Sequence, residues 1–183
     1  MMDIFPSAFI WTYNALPWAW IILGFLTLQR LGELVYAKRN TKALMARGAE
    51  EFGASHYPYM VMIHGAFLIS LFAFTAFHAP IIWPLAVIFL FLQAARLWVL
   101  ATLGPYWTTR IISSPDFPRV IGGPFKLVSH PNYCVVTAEI AIIPLIFGHV
   151  WIAVIFSLLN AAILTVRLRI ENEALRKRTT KVA

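Results

Sequence analysis

Hydrophobic residues in this chain gather into long runs separated by short polar segments, without the strict alternation of half-buried strands. Apolar runs near 20 residues have the length a helix needs to cross a bilayer. Read this way, the sequence predicts five spanning helices, at about residues 15–36, 57–77, 81–103, 132–147 and 150–169. A short amphipathic or interfacial segment precedes the first. His78-Ala79-Pro80 and Pro84 predict a tight turn between the second and third, because proline opens helices but interrupts their interiors. The fourth run is short and holds Pro144, which predicts a kink or a shallow end there. Gly148-His149 separates it from the fifth, whose helical periodicity continues through the charged stretch 167–178, so this helix should extend into water. The expected fold class is an all-α polytopic membrane protein forming a single domain over 1–183. A three-helix part covers 1–103; a loop, a helical hairpin and a tail cover 104–183. No internal repeat or low-complexity segment is present.

Charge gives this reading a direction. Lys38, Arg39, Lys42 and Arg47 follow the first run; Arg110, Arg119 and Lys126 follow the third; Arg167, Arg169, Arg176, Lys177, Arg178 and Lys181 end the chain. Arg30 and Arg96 lie toward the same ends of their helices. The N-terminus and the other two connections hold no Lys or Arg. Five spans with the N-terminus outside place every basic residue on the cytoplasmic side, as the positive-inside rule requires. The chain is expected to be integral to a membrane, with polar chemistry concentrated on the cytoplasmic side at 37–56, at 104–131 and in the tail.

Composition narrows the classes further. The chain is 60% hydrophobic and 13% charged, against about 25% charged in soluble domains, which excludes a disordered chain and argues against a water-soluble globule. Its net charge of +7 comes from clusters between apolar runs, which suits topology rather than a nucleic-acid face. Cys134, alone and in an apolar run, reads as a small buried hydrophobe. The N-terminus lacks the basic region of a cleavable signal peptide. No metal site is expected.

Several polar residues lie within or beside the apolar runs: Gln29, Arg30, Glu33, His64, Gln93, Arg96, Glu139 and Asn160. Ionisable groups at membrane depth are costly and mark functional sites by default. Arg30 and Glu33, three apart on one helical face, also suit a simple pair. Gln93 and Asn160 suit hydrogen bonds between helices. Glu139 needs a cation or donor to stay charged, and Arg96 is a candidate partner.

The densest constellation is Gly122-Gly123-Pro124-Phe125-Lys126-Leu127-Val128-Ser129-His130-Pro131-Asn132-Tyr133. Its glycines and proline make a turn where backbone amides can approach a ligand closely. His130 precedes Pro131 and should be extended, while Pro131 suits the first turn of the fourth helix. A helix start with free amides favours an anion, and His130 and Tyr133 stand beside it as donors. A capped helix entry is the plain alternative.

The tail reads Arg167-Leu168-Arg169-Ile170-Glu171-Asn172-Glu173-Ala174-Leu175. Together the two segments resemble the isoprenylcysteine carboxyl methyltransferase family and its phospholipid methyltransferase relatives. That pattern has Gly-Pro-(Tyr/Phe), then His-Pro-x-Tyr before a helical hairpin, and Arg-Ile-x-x-Glu-Glu after it. The resemblance covers about residues 104–178. Two positions depart from it: Ser129 stands where arginine is usual, and Asn172 stands at the second tail acid. The N-terminal half adds Arg30-Leu31-Gly32-Glu33, Arg39-Asn40, Arg47-Gly48-Ala49-Glu50 and His56-Tyr57-Pro58, then Met60, Val61 and His64. These resemble bacterial members linked to type III polyketide synthases, which O-methylate long-chain alkylpyrones or alkylresorcinols.

The resemblance implies S-adenosylmethionine as methyl donor. It implies cofactor binding by Gly123, Pro124, Phe125, His130, Pro131, Tyr133 and Glu171. The acceptor it implies is a lipophilic small molecule entering from the bilayer, with a functional link to a type III polyketide synthase. Arg167 would orient a carboxylate acceptor; a phenol or enolic pyrone must lose a proton, which His64, His56 or Glu33 would assist. Three other readings stand beside this one. They are methylation of an isoprenylcysteine carboxylate or a phospholipid amine, a sterol-reductase-like activity on a shared fold, and a non-catalytic membrane subunit whose polar residues only join helices.

Overall fold

A computed structural model describes residues 16–178. The expected interfacial start, residue 15 and Lys181 lie outside them. Five helices follow one another: α1 (Trp18–Met45), α2 (Tyr57–Phe74), α3 (Trp83–Leu103), α4 (Pro131–Ile146) and α5 (Val150–Arg176). Proline stands in the first turn of α2, α3 and α4, where its missing N–H costs nothing. Four of the helices are long and apolar enough to cross a membrane; α4 is shorter. At 16 residues α4 is roughly 24 Å long, against a hydrocarbon core of about 30 Å. Pro144 does not kink its middle. The helix ends two residues later, and Gly148, at φ +79°, reverses the chain into α5.

Side chains on the bundle's outer surface are apolar. Leu28, Ile69, Phe91 and Trp151 are 72%, 71%, 71% and 78% exposed, which suits lipid and not water. Inside, Leu23, Phe67, Leu71, Phe89, Ile143 and Phe156 form the main core. α4 packs against α3 and α5.

The helix ends sort into two groups. At one end, Trp20 Nε1 donates to the Thr75 carbonyl (3.2 Å) and the Ile82 amide to the Ile146 carbonyl (2.9 Å). At the other, Asn40 Nδ2 donates to the carbonyls of Gly104 (3.0 Å) and Trp107 (2.9 Å). Residues 16–29, 48–95 and 127–166 contain no Lys or Arg, so every described basic residue lies in or toward this second group, the basic end.

Three expectations need correction. First, α1 does not stop near residue 36; it runs to Met45. Ala37, Asn40 and Leu44 are buried on one face of this extension, so Lys38, Arg39 and Lys42 ride on helix rather than loop. Second, the helical bundle carries a small sheet where only loops were expected. Strand β1 (Glu50–Phe52) pairs antiparallel with β2 (Ile111–Ser113), Glu51 opposite Ile112. This small sheet caps the basic end, pinned by the Arg110–Glu51 ion pair (2.8 Å) and by the end of α5, where Arg178 Nε donates to Ser113 Oγ (2.9 Å). Third, Cys134 is exposed rather than buried.

Candidate functional site

The helical hairpin brings the two motifs face to face. His130 caps the start of α4 with a non-helical backbone (φ −133°, ψ 66°), as the following proline requires. Its ring stacks on Tyr133, centroids 5.3 Å apart. Across the hairpin, residues 167, 171 and 174 recur at helical spacing on α5, and Arg178 follows just past its end. His130 Nε2 hydrogen-bonds Asn172 Oδ1 (3.0 Å), and Nδ1 lies 3.7 Å from Glu171 Oε1. The Tyr133 hydroxyl donates to Glu171, and Arg167 Nε donates to the Tyr133 oxygen (2.6 Å). Arg167 Nη1 donates to the Thr109 carbonyl (2.9 Å), fixing the guanidinium. The Glu171 carboxylate beside it, with Asn172 adding, holds the His130 imidazole above its ordinary pKa against the opposing effect of burial. In the imidazolium both ring N–H groups face oxygen. Asn172, the residue that departs from the family pattern, therefore has a defined job.

Two cavities meet at this cluster, of about 360 and about 350 Å³. The first lies under the small sheet and is the more polar of the two, with His130, Glu171, Arg110, Arg119 and Arg178 in its wall beside aromatic surface from Tyr106 and Phe125. The second lies within the bundle between α1, α2, α4 and α5, and its wall is mostly apolar. Five residues line both: Trp107, Thr108, Asn132, Tyr133 and Arg167. They form a window between a polar chamber and an apolar one. Trp107 Nε1 and Asn132 Oδ1 are buried there without a hydrogen-bond partner among the described residues. Buried polar atoms are rarely left unpaired without reason, and a ligand at the window is one.

The sequence-derived residues distribute unevenly over this geometry. Phe125, His130, Pro131, Tyr133 and Glu171 line the polar chamber. Gly123 and Pro124 do not; they position the loop. Gly123 has φ +54°, and a Cβ there would lie 2.6 Å from Thr102 Oγ1 and 3.2 Å from Trp98 Nε1, so the turn sits directly on α3. The helix start also offers fewer amides than expected. Pro131 has none, and the Tyr133 amide donates to the His130 carbonyl (3.0 Å). His56 lies outside both chambers, below Gly53 and against Ile170. Trp107 was missed by the sequence reading because its loop position shows no spacing signal, while Arg110 and Arg178 were read only as charges that set the topology.

In the apolar chamber four charges form a closed quartet. Arg96 grips Glu33 through Nε and Nη2 (both 2.6 Å). Arg30 grips Glu139 through Nη2 (2.9 and 3.0 Å) and also reaches Glu33 (3.0 Å). Arg96 Nη1 (3.1 Å) and Gln93 Nε2 (2.8 Å) complete the shell of Glu139. The two candidate pairs, Arg30–Glu33 and Arg96–Glu139, are thus parts of one network joining α1, α3 and α4. His64 lines the same chamber, with Nδ1 2.8 Å from the Met60 carbonyl. That bond requires N–H at Nδ1, which leaves Nε2 with a lone pair.

Comparison with known proteins accords with the hairpin motif. Residues 85–177 match the isoprenylcysteine carboxyl methyltransferase (ICMT) family. This chain belongs to the ICMT family. It is also 39% identical over 166 residues to YpbQ of Bacillus subtilis (strain 168), a protein described as uncharacterized, across 88% of this chain and 99% of that one. No solved structure matches it. As an ICMT-family member with several apolar helices it is an integral membrane methyltransferase for lipid-like substrates. Methyltransferases of the ICMT family use S-adenosylmethionine, and the polar chamber's donor set suits that zwitterionic nucleoside. Its cationic side chains match a carboxylate, Glu171 matches an ammonium, and its aromatic rings match a base.

Proposed function

We propose that this protein transfers a methyl group from S-adenosylmethionine, held in the polar chamber, to the oxygen of a long-chain alkylpyrone or alkylresorcinol-like acceptor in the apolar chamber. The observation that carries the reading is the shared window: a chamber rich in charged groups and a mostly apolar one, with Tyr133, Asn132 and Arg167 in both walls. When bound, S-adenosylmethionine supplies an electrophilic methyl group on sulfur. The chain's residues then align and shield the reaction. His130 and Glu171 hold the donor's charged end, Phe125 and Pro131 pack beside it, and Tyr133 stands at the window. Alignment of nucleophile, methyl and leaving sulfur supplies most of the rate, and an apolar chamber excludes competing water.

His64 accepts the acceptor's hydroxyl proton at Nε2, because its other nitrogen is committed to Met60. Arg167 balances the charge the acceptor oxygen carries. Glu33 is not the base in this scheme, since both its oxygens are held by guanidinium groups. An amine of a phospholipid fits poorly, because its cationic product would form against the Arg167 guanidinium. A carboxylate such as isoprenylcysteine's fits Arg167 but has no use for His64. The basic end faces the cytoplasm of a bacterial inner membrane, where the donor is found, and the acceptor points to an upstream type III polyketide synthase.

The test is incubation of purified protein with radiolabelled S-adenosylmethionine and a panel of alkylpyrones, alkylresorcinols, prenylcysteines and phospholipids. Label in the methyl ether of a pyrone or resorcinol is expected. Label confined to a methyl ester or a methylated amine overturns the acceptor assignment, and no transfer to any acceptor overturns the reaction.

A further inference from the structure

α2 is the least embedded of the helices: Phe67 and Leu71 are its only buried residues among those described, and both lie in its second half. α1 and α2 meet at the end away from the basic residues, where Trp20 bonds the Thr75 carbonyl (3.2 Å) and packs edge-on against Phe72 (5.3 Å). Toward the basic end, the face of α2 formed by Tyr57, Met60, Val61, His64, Gly65 and Leu68 lines the apolar chamber, at the i, i+3, i+4 spacing of one helical stripe. Leu31 and Leu34 of α1 and Val61 of α2 are chamber-wall residues, yet they are 54%, 46% and 50% exposed. Wall residues that are half exposed mark the rim of an opening. The side of α2 facing α5 is closed by the Phe67–Phe156 ring contact (5.3 Å) and by Met60 Sδ against Arg167 Nη1 (3.4 Å). The opening therefore lies between α1 and α2.

Gly65 sits at this opening. It is the chamber wall's glycine, and a Cβ built on it meets nothing within 4 Å. Its backbone is helical, so no unusual φ calls for glycine there. Glycine inside a helix lowers stability relative to alanine. Neither packing nor backbone conformation requires it. What its missing side chain leaves is free width in the passage beside His64, its neighbour in the chain.

We infer that the acceptor's alkyl chain occupies the cleft between α1 and α2 at the level of Leu31, Leu34 and Val61, and that Gly65 sets the width of this passage and so which chains the enzyme accepts. The inference rests on the acceptor reading proposed above. A single unbranched alkyl chain fits the cleft because every rim residue is apolar and the cleft is continuous with the chamber. The head then lies by His64 and the window, and the remainder of the chain stays in lipid.

The test pairs Gly65→Leu, with Gly65→Ala as a mild step and Val61→Trp as a second obstruction on the rim, against acceptors sharing one head but differing in chain length. In Gly65→Leu and Val61→Trp, kcat/KM for long-chain acceptors should fall at least about tenfold, the scale of a misfit in an apolar pocket. Turnover of the head-only analogue should fall much less than that of the long-chain acceptors, and the affinity for S-adenosylmethionine should be unchanged, the latter confirming folding. Independently of turnover, a photoreactive diazirine in the alkyl chain should label residues 26–34 and 57–68 in the unaltered protein and label Gly65→Leu less. Equal loss for long-chain and head-only acceptors, no loss for either, or labelling confined to α3 and α4 overturns the passage. If the unaltered protein transfers methyl to no acceptor, the reaction reading fails, and photolabelling still decides whether alkyl chains enter here.

Discussion

Replacing Glu139 with Gln removes one negative charge from the quartet of Arg30, Glu33, Arg96 and Glu139 and leaves it with a net positive charge. Glu139 is 3% exposed and accepts bonds from Arg30, Arg96 and Gln93. Arg96 is 5% exposed, so its lost contact is not replaced by water. Arg30's side chain is 26% exposed and recovers part of the loss. Removing one partner of a buried ion pair costs about 3–5 kcal/mol, because the other charge stays buried and unpaired. At about 2–4 °C per kcal/mol for a chain of this size, Tm in detergent should fall by roughly 6–20 °C. Arg30→Gln added to Glu139→Gln restores neutrality and leaves the Glu33–Arg96 pair, the tightest of the network, with both bonds at 2.6 Å. The double variant should recover a large part of the lost stability, with a coupling energy of about 1–3 kcal/mol. Thermal unfolding of the two single variants and the double, followed by tryptophan fluorescence, measures all three. A Glu139→Gln protein that melts with the unaltered one, or a double variant whose loss equals the sum of the singles, would refute the view that charge balance in the quartet holds α1, α3 and α4 together.

The cofactor cluster, the small sheet and the acceptor chamber each make a further prediction. His130→Ala and Glu171→Ala should each weaken S-adenosylmethionine binding about 10–100-fold by calorimetry, the scale of a charge-assisted hydrogen bond, without loss of fold; unchanged affinity in both removes the cluster from the site. The raised pKa of His130 means the folded state binds its proton more tightly, so this stabilisation is complete below about pH 6.5 and is lost as pH rises through the raised folded value. Melting temperature should therefore decline over that interval, and Glu171→Gln should flatten the decline. Gly53, at φ +63°, sits so close to α5 that a Cβ would lie 2.8 Å from Ile170 Cδ1, and Gly53→Ala should cost about 1–3 kcal/mol through strain and overpacking, read from the shift in Tm. His64→Ala should slow transfer to phenolic or enolic acceptors much more than to carboxylates, and equal slowing of both ends its assignment as base.

The parts of this protein that were legible in the sequence are those the bilayer or a short local pattern dictates. Apolar runs marked all five helices, because lipid-facing side chains such as Leu28 and Trp151 must be apolar whatever lies behind them. Pro131 marked the start of α4, and Pro80 and Pro84 marked the turn before α3. The extension of α1 to Met45 was hidden by the same rule: beyond Tyr36 the helix packs on loops and the small sheet through Ala37, Asn40 and Leu44, so its other faces turn polar and read as loop. Three-residue strands carry too little pattern to be seen at all. For the site, the family resemblance named the hairpin residues His130, Tyr133 and Glu171, yet left the window unseen. Trp107 and Asn132 reach it from a loop after α3 and from the first turn of α4, and no spacing links them. The quartet shows the same boundary more sharply. Arg30 and Glu139 are 109 residues apart and their pairing depends on how α1 lies against α4, so the pairs Arg30–Glu33 and Arg96–Glu139 were legible while the cross-links that join them into one network were not. The sequence reading therefore identifies which polar residues the membrane must compensate; packing decides what compensates them. Here packing sets one group at the polar chamber and locks the other into the wall of the apolar one.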